Sequence, residues 1–189
     1  METLYELPLT GPKALNFSYG QIIVYDSGEN EPGSIWTIQH TNQGFVRRPH
    51  TVGISTLIPY GTASISVFMA EPRSLKIYER AISVPIELPS GVLCLEGPEE
   101  YPIERFVNLG PGLFRLFFCQ MIGAEGALRI DIFVGTADKV DARSRILKTN
   151  TDLPDFGWGF TSCLLAANSP ARDGRWTAVC YCFVGVSTS

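Results

Sequence analysis

The sequence lacks the motifs that mark the common enzyme classes. Among its 189 residues there is no nucleophile elbow, no HExxH zinc motif, no Walker loop and no GxGxxG after a strand. Histidine occurs only as His40 and His50, and we expect a surface or capping role for both rather than a catalytic one. The adjacent pair Glu99 and Glu100 would point to opposite faces of a strand, which is unsuited to acid–base catalysis. We therefore expect a protein that is not an enzyme and needs no cofactor.

Long apolar runs are also missing. No stretch approaches the ~20 apolar residues that span a membrane. The first residues carry Glu2 and Glu6 where a secretory signal would carry basic residues before an apolar core. The five cysteines are odd in number and form no CxxC pair, so we expect reduced, buried thiols. Cys180 and Cys182 would share one face of a strand, but no histidine lies at a spacing that would complete a metal site. These features together favour a cytoplasmic protein without a membrane span.

Concentrated positive charge is absent as well. The formal net charge is −4, and contact with a nucleic-acid backbone requires a clustered basic surface. Residues 1–139 hold 15 carboxylates against 10 basic residues, whereas residues 140–189 hold 4 against 5. We therefore expect no direct binding of nucleic acid, and the acidity belongs to the first part of the chain.

What the sequence does contain is a series of short apolar segments separated by turns. The chain is 45% hydrophobic and only 18% charged, which is enough to bury a sizeable core. Alternation is clearest at residues 128–134, where four aliphatic side chains share one face. The pattern predicts an all-β fold, an antiparallel β-sandwich. The predicted strands are 15–19, 21–26, 51–57, 62–69, 81–88, 92–95, 113–121 and 128–134, with 176–186 a further candidate.

Several segments leave more than one reading open. Gly20 is either a bulge or a bend within one long strand. Pro85 places strand 81–88 at a sheet edge or a bulge, with 92–95 as its hairpin partner. Residues 35–48 predict a short helix or an irregular crossing segment, and residues 138–148 a loop or a few helical turns.

These readings divide the chain into three parts. Residues 1–13 form a lead-in, residues 14–139 form the β-sandwich domain, and residues 140–189 form a C-terminal extension. The extension is rich in glycine, proline and small residues, and we expect it to be irregular or to hold a short helix. It either packs on the domain or trails from it.

Two acidic loops are the best candidates for a contact surface. The candidate side chains are Asp26, Glu29 and Glu31 in the first loop, and Glu96, Glu99, Glu100, Tyr101 and Glu104 in the second. Carboxylates near exposed aromatic residues suit a basic partner protein, because charge steers the encounter and aromatic rings anchor it. Tyr25, Trp36 and Tyr101 are the aromatic candidates. In the alternative reading Trp36 belongs to the core and the carboxylates only keep the protein soluble.

The sequence resembles the bacterial competence protein J family over residues 14–135. The resemblance is carried by residues 15–25 (LNFSYGQIIVY), 36–37 (WT), 43–45 (QGF), 78–85 (YERAISVP) and 109–116 (LGPGLFRL). Members of that family inhibit the DNA-entry nuclease. The resemblance thus implies an inhibitor or immunity-type protein whose partner is a metal-dependent endonuclease, encoded nearby.

The leading hypothesis is therefore a nuclease inhibitor that blocks an electropositive cleft with acidic loops, the second loop being slightly favoured. The alternative is a C2-like or lectin-like interaction module that binds a membrane surface, a sugar or a protein without inhibiting it. A calcium-binding C2 module needs clustered loop aspartates, and these loops carry mostly glutamate.

Overall fold

The computed structural model describes residues 9–98, 106–137 and 143–149. These residues form two sheets and one short helix. The elements are β1 (Thr10–Phe17), β2 (Gln21–Asp26), α1 (Ile38–Gln43), β3 (Phe45–Arg48), β4 (Thr51–Ser55), β5 (Gly61–Phe68), β6 (Arg80–Leu88), β7 (Val92–Glu96), β8 (Phe106–Asn108), β9 (Gly112–Ile122), β10 (Leu128–Thr136) and β11 (Arg145–Lys148).

The sheets contain six and five strands. Their orders are β1-β5-β10-β9-β6-β11 and β3-β4-β2-β7-β8. Neighbouring strands in the described residues are antiparallel with one exception, the parallel pair β5 and β10. The predicted all-β fold is thus confirmed, and the six-stranded sheet is mixed rather than purely antiparallel.

The core lies between the two sheets and follows the alternation in the sequence. Leu128, Ile130, Ile132 and Val134 of β10 all face inward and are buried. They share one large cluster with Phe118 and with inward-facing side chains of the five-stranded sheet. Each aliphatic side chain buried in this way contributes about 1.5–3 kcal/mol to folding.

The chain passes between the sheets at Gly20, so the prediction of one long strand with a bulge or bend is wrong. β1 pairs with β5 in one sheet, and β2 pairs with β4 and β7 in the other. Tyr19 and Gly20 both have positive φ, 56° and 63°, and the Gln21 amide donates to the Ser18 carbonyl. Two left-handed residues in succession make a tight turn that redirects the chain.

The predicted hairpin between residues 81–88 and 92–95 is also wrong, because β6 and β7 belong to different sheets. β6 lies second from its edge, since β11 pairs with it at residues 81–83. Pro85 lies beyond that pairing, and its carbonyl accepts a 2.7 Å hydrogen bond from Nε of Arg47. Pro85 is in register with Arg115 of β9 on one side of β6, and β11 leaves the other side unpaired at this point, where a missing N–H is tolerated.

Other differences concern the ends of the predicted domain. β1 begins at Thr10, before the predicted limit at 14, and β11 (Arg145–Lys148) lies wholly beyond the predicted limit at 139. The loop-or-helix prediction is wrong for Arg145–Lys148, which pair with β6. Residues 35–48 contain the predicted short helix and, in addition, strand β3. The predicted extension beyond residue 149, with Cys163, Cys180, Cys182 and the candidate strand 176–186, lies outside the described residues.

Both outer faces of the sandwich are partly covered by connecting segments. The segment between β5 and β6 places Tyr78 on the six-stranded sheet, where it packs with Ala81, Phe117 and Cys119. The segment between β2 and α1 places Trp36 over Gly53 on the outer face of the five-stranded sheet. In the part of the chain that the structure describes, no helix is long and apolar enough to cross a membrane.

Candidate partner-binding surface

Asp26 closes β2 and lies in the interior, only 3% exposed. Its carboxylate accepts hydrogen bonds from the Gly28 amide at 2.9 Å, the Ser90 amide at 3.0 Å and the Ser90 hydroxyl at 2.6 Å. Asp26 therefore ties the first acidic loop to the β6–β7 connection. The Asp26 carboxylate is therefore bound by groups of the protein itself. It does not lie on the surface, where a predicted contact residue would have to lie.

Glu31 is exposed in this loop, and Glu29 is partly exposed, with 24% of its side chain accessible. Oε2 of Glu29 lies 4.0 Å from Nδ1 of His50, and Oε2 of Glu87 lies 3.6 Å from Nε2 of the same ring. The turn carrying His50 is fixed there because its backbone carbonyls accept from the amides of Asp26 and Glu87. We name Glu29, Glu31 and Glu87 the acidic rim. Sequence reasoning missed Glu87, whose only signal was that it is the one charged residue in the predicted strand 81–88.

Glu96 has a different environment, since it is half-buried beside Tyr25. The Tyr25 hydroxyl donates to Oε2 of Glu96 at 3.0 Å. Burial raises the pKa of Glu96, and the hydrogen bond from Tyr25 partly offsets that rise. Tyr25 itself is only 4% exposed, so the prediction of an exposed aromatic at this position is wrong. Glu99, Glu100, Tyr101 and Glu104 lie outside the described residues.

The two acidic loops leave the β2–β7 pair in opposite directions. Asp26 is paired with Leu93 and Ile23 with Glu96, so the backbone positions of Asp26 and Glu96 are about 10 Å apart along the strands. Beyond Glu96, Gly97 packs against the backbone of Asn16 and Phe17. The described residues therefore do not bring the two loops together into one surface.

Trp36 is half-buried, and neither predicted alternative describes it fully. Its ring lies over Gly53, where an added Cβ would come 3.2 Å from Cζ2 of Trp36 and 2.9 Å from Cγ1 of Val46. Glycine at position 53 thus leaves the space that the indole fills. The ring is held on the outer face of the sheet, outside the main core.

The residues beside Trp36 form the N-terminus of α1. Nδ1 of His40 accepts from the Thr37 amide at 3.1 Å, and the Thr37 hydroxyl accepts from the His40 amide at 3.4 Å. This reciprocal pair is a capping box, with histidine in the position usually held by glutamate. The predicted capping role of His40 is confirmed, and burial lowers its pKa.

The described residues contain two of the five cysteines. Cys94 and Cys119 are buried free thiols, as predicted, and burial raises the pKa of each to about 12. Among residues 9–98, 106–137 and 143–149, no group of three His, Cys, Asp or Glu side chains is placed to hold a metal ion. The arrangement can present carboxylates and apolar side chains to a partner.

Comparisons with known proteins give the chain a family. The model of the competence protein J family matches residues 14–132. The crystal structure of ComJ from Bacillus subtilis, described as an inhibitor of the DNA-degrading activity of NucA, is similar, with a TM-score of 0.59 and 17% identity. The match covers 67% of this chain and 95% of that one.

A second solved structure is described as crocagin biosynthetic gene J. It has a TM-score of 0.47 and 15% identity, over 68% of this chain and 97% of that one. No curated protein sequence matches the chain. The family match extends from β1 into β10 and includes most of the described strands. The chain belongs to the competence protein J family.

Proposed function

We propose that this chain is an inhibitor of a DNA-degrading nuclease, acting by binding rather than by catalysis. The observation that carries the proposal is the family match over residues 14–132. The similar fold of ComJ, the inhibitor of NucA, supports it. The partner is a metal-dependent endonuclease encoded near this chain's gene, and inhibition takes place in the cytoplasm.

The acidic surface suggests how such an inhibitor works. A nuclease holds DNA phosphates in an electropositive cleft, and carboxylates on a rigid protein can occupy the same sites. The acidic rim supplies three exposed or partly exposed carboxylates within the described residues. The segment that holds Glu96, Glu99, Glu100, Tyr101 and Glu104 is the second proposed contact. Asp26 supports the first contact indirectly because it fixes the loop.

The proposal is tested by following plasmid cleavage by the nuclease encoded beside this gene, with increasing amounts of the purified chain. We expect cleavage to stop near stoichiometric amounts. Two controls are essential. An excess of divalent cation excludes chelation as the cause, and an unrelated metal-dependent nuclease tests whether the effect is specific. Cleavage that continues unchanged at excess chain would refute the proposal.

A further inference from the structure

Two isoleucines next to the acidic rim are exposed without an evident structural reason. The side chain of Ile35 is 87% exposed and that of Ile38 is 70% exposed. They are three residues apart, so their Cα atoms are separated by about 10 Å at most. Single exposed aliphatic side chains are common, but two large ones on a single short segment point to an interaction site.

The backbone that carries these side chains is firmly anchored. Trp36, between the two isoleucines, is packed over Gly53, and Thr37 closes the capping box with His40. Upstream, the Arg48 guanidinium donates to the Glu31 carbonyl. A segment fixed at three successive points loses little conformational entropy on binding, which favours affinity.

The charges beside the pair indicate the chemistry of the partner. Glu31 is exposed four residues before Ile35, and Glu29 precedes it in the same segment. Gly53, under Trp36, lies three residues along β4 from His50, which contacts the rest of the acidic rim. Carboxylates therefore precede the apolar pair in the same segment, and Trp36 between the two isoleucines lies over the strand that follows His50. A second copy of this chain is a poor occupant, because two-fold symmetry would bring the same carboxylates near each other.

We propose that Ile35 and Ile38 are the apolar anchors with which this chain docks on its nuclease, beside the basic cleft that Glu29 and Glu31 face. The inference rests on the proposed function and adds a defined contact to it. Anchors of this kind, surrounded by polar contacts that exclude water, carry most of the energy of an interface. The acidic rim then steers the encounter and sets its orientation.

The test compares two variants in the plasmid-cleavage assay and by calorimetric titration of the purified nuclease. The first is the double variant Ile35→Ser/Ile38→Ser. The matched control is Ile77→Ser, an isoleucine that is 56% exposed next to Tyr78 on the opposite outer face of the sandwich. We expect the double variant to bind at least about tenfold more weakly and the control to bind like wild type. Because all three side chains are exposed, we expect thermal unfolding to change little.

The outcomes separate the two proposals. If the wild-type chain inhibits and the double variant inhibits equally well, the anchor proposal is overturned while the proposed function stands. If wild type does not inhibit at all, both fail. If wild type is a dimer by light scattering and the double variant is a monomer with full inhibition, the pair is a self-association site instead. If Ile35→Ser/Ile38→Ser and Ile77→Ser lose inhibition equally, the proposal is also overturned, because the loss would then not be specific to Ile35 and Ile38.

Discussion

The Tyr25 hydroxyl donates a hydrogen bond to Glu96 across neighbouring strands, and both groups resist ionisation. Burial is the larger cause for each, and it raises the pKa of Tyr25 and of Glu96. The folded chain therefore binds the Glu96 proton more tightly than the unfolded chain does. As the pH rises from the ordinary glutamate pKa of 4.5 through the higher folded value, the free energy of unfolding falls.

Glu96→Gln should remove this part of the pH dependence. Glutamine keeps a side-chain oxygen for the Tyr25 hydroxyl but carries no charge to desolvate. We expect the variant to be at least as stable as wild type at about pH 7, with a flatter profile above the ordinary glutamate pKa. Thermal unfolding as a function of pH measures this. The matched control is Glu125→Gln, at an exposed glutamate. If the stability of Glu96→Gln depends on pH as steeply as that of wild type, the prediction is wrong.

Tyr78→Phe should destabilise the fold without affecting the acidic rim. The Tyr78 hydroxyl donates at 2.8 Å to Oδ2 of Asp131, which is fully buried and also paired with Arg129. Loss of a hydrogen bond to a charged group costs about 1.5–3 kcal/mol. Urea unfolding measures the change. Tyr60→Phe, at an exposed tyrosine, should leave stability unaltered; equal effects at both positions would count against the buried hydrogen bond.

Gly53→Ala tests the packing under Trp36. The added methyl group would lie 2.9 Å from Cγ1 of Val46 and 3.2 Å from Cζ2 of Trp36, so one of them must move. We expect a loss of about 1–3 kcal/mol in the free energy of unfolding. Gly33→Ala provides the control, because nothing lies within 4 Å of its added Cβ. If the position of Ile35 and Ile38 depends on this packing, Gly53→Ala should also weaken inhibition. A variant that keeps its stability but inhibits less would show that the position of Trp36, and not unfolding, causes the loss of inhibition.

Tyr19→Asn should stabilise the chain. Tyr19 has a φ of 56°, a left-handed conformation that costs most residues about 1–2 kcal/mol and that asparagine adopts more readily. The side chain is 58% exposed, so its replacement loses little packing. We expect a higher midpoint of urea unfolding, which corresponds to a rise of up to about 1 kcal/mol in the free energy of unfolding. A lower midpoint would mean that the ring makes a stabilising contact in the folded state.

Charge reversal decides which acidic loop binds the nuclease. If the second loop makes the contact, Glu99→Lys/Glu100→Lys should weaken inhibition and reduce its dependence on salt. Glu29→Lys/Glu31→Lys is the parallel variant in the first loop. Inhibition constants at low and high salt give the comparison. If Glu99→Lys/Glu100→Lys inhibits like wild type and Glu29→Lys/Glu31→Lys inhibits less, the contact belongs to the acidic rim.

Local pattern predicted the strands well where one face is buried. The aliphatic positions of β10 face the core as alternation requires, and Asp131 on the other face is paired with Arg129. The division into sheets was not predictable in this way. β6 and β7 are separated by a short turn, which suggests a hairpin, yet β6 pairs with β9 and β11, and β7 pairs with β2 and β8.

The site was predicted in part, for a similar reason. Asp26 was expected on the surface because acidic residues usually are, but Ser90 binds it from 64 positions away. The tripeptide Asp26-Ser27-Gly28 did contain a signal, since aspartate two residues before a glycine amide favours a side-chain-capped turn. The exposure of Ile35 and Ile38 carried no such signal, because apolar residues without periodicity give no indication of which face they take.

The parallel pair β5 and β10 in the six-stranded sheet also constrains how this chain folds during synthesis. Ala63 on β5 is paired with Leu128 on β10, 65 positions later, and β1 reaches the sheet only through β5. Until β10 has left the ribosome, one edge of the β1–β5 pair stays unpaired and open to association with other chains. Contacts this distant in sequence form slowly, because a long loop must close before they contribute any free energy. The synthesis of β10 therefore determines when the open edge of β5 becomes protected from aggregation.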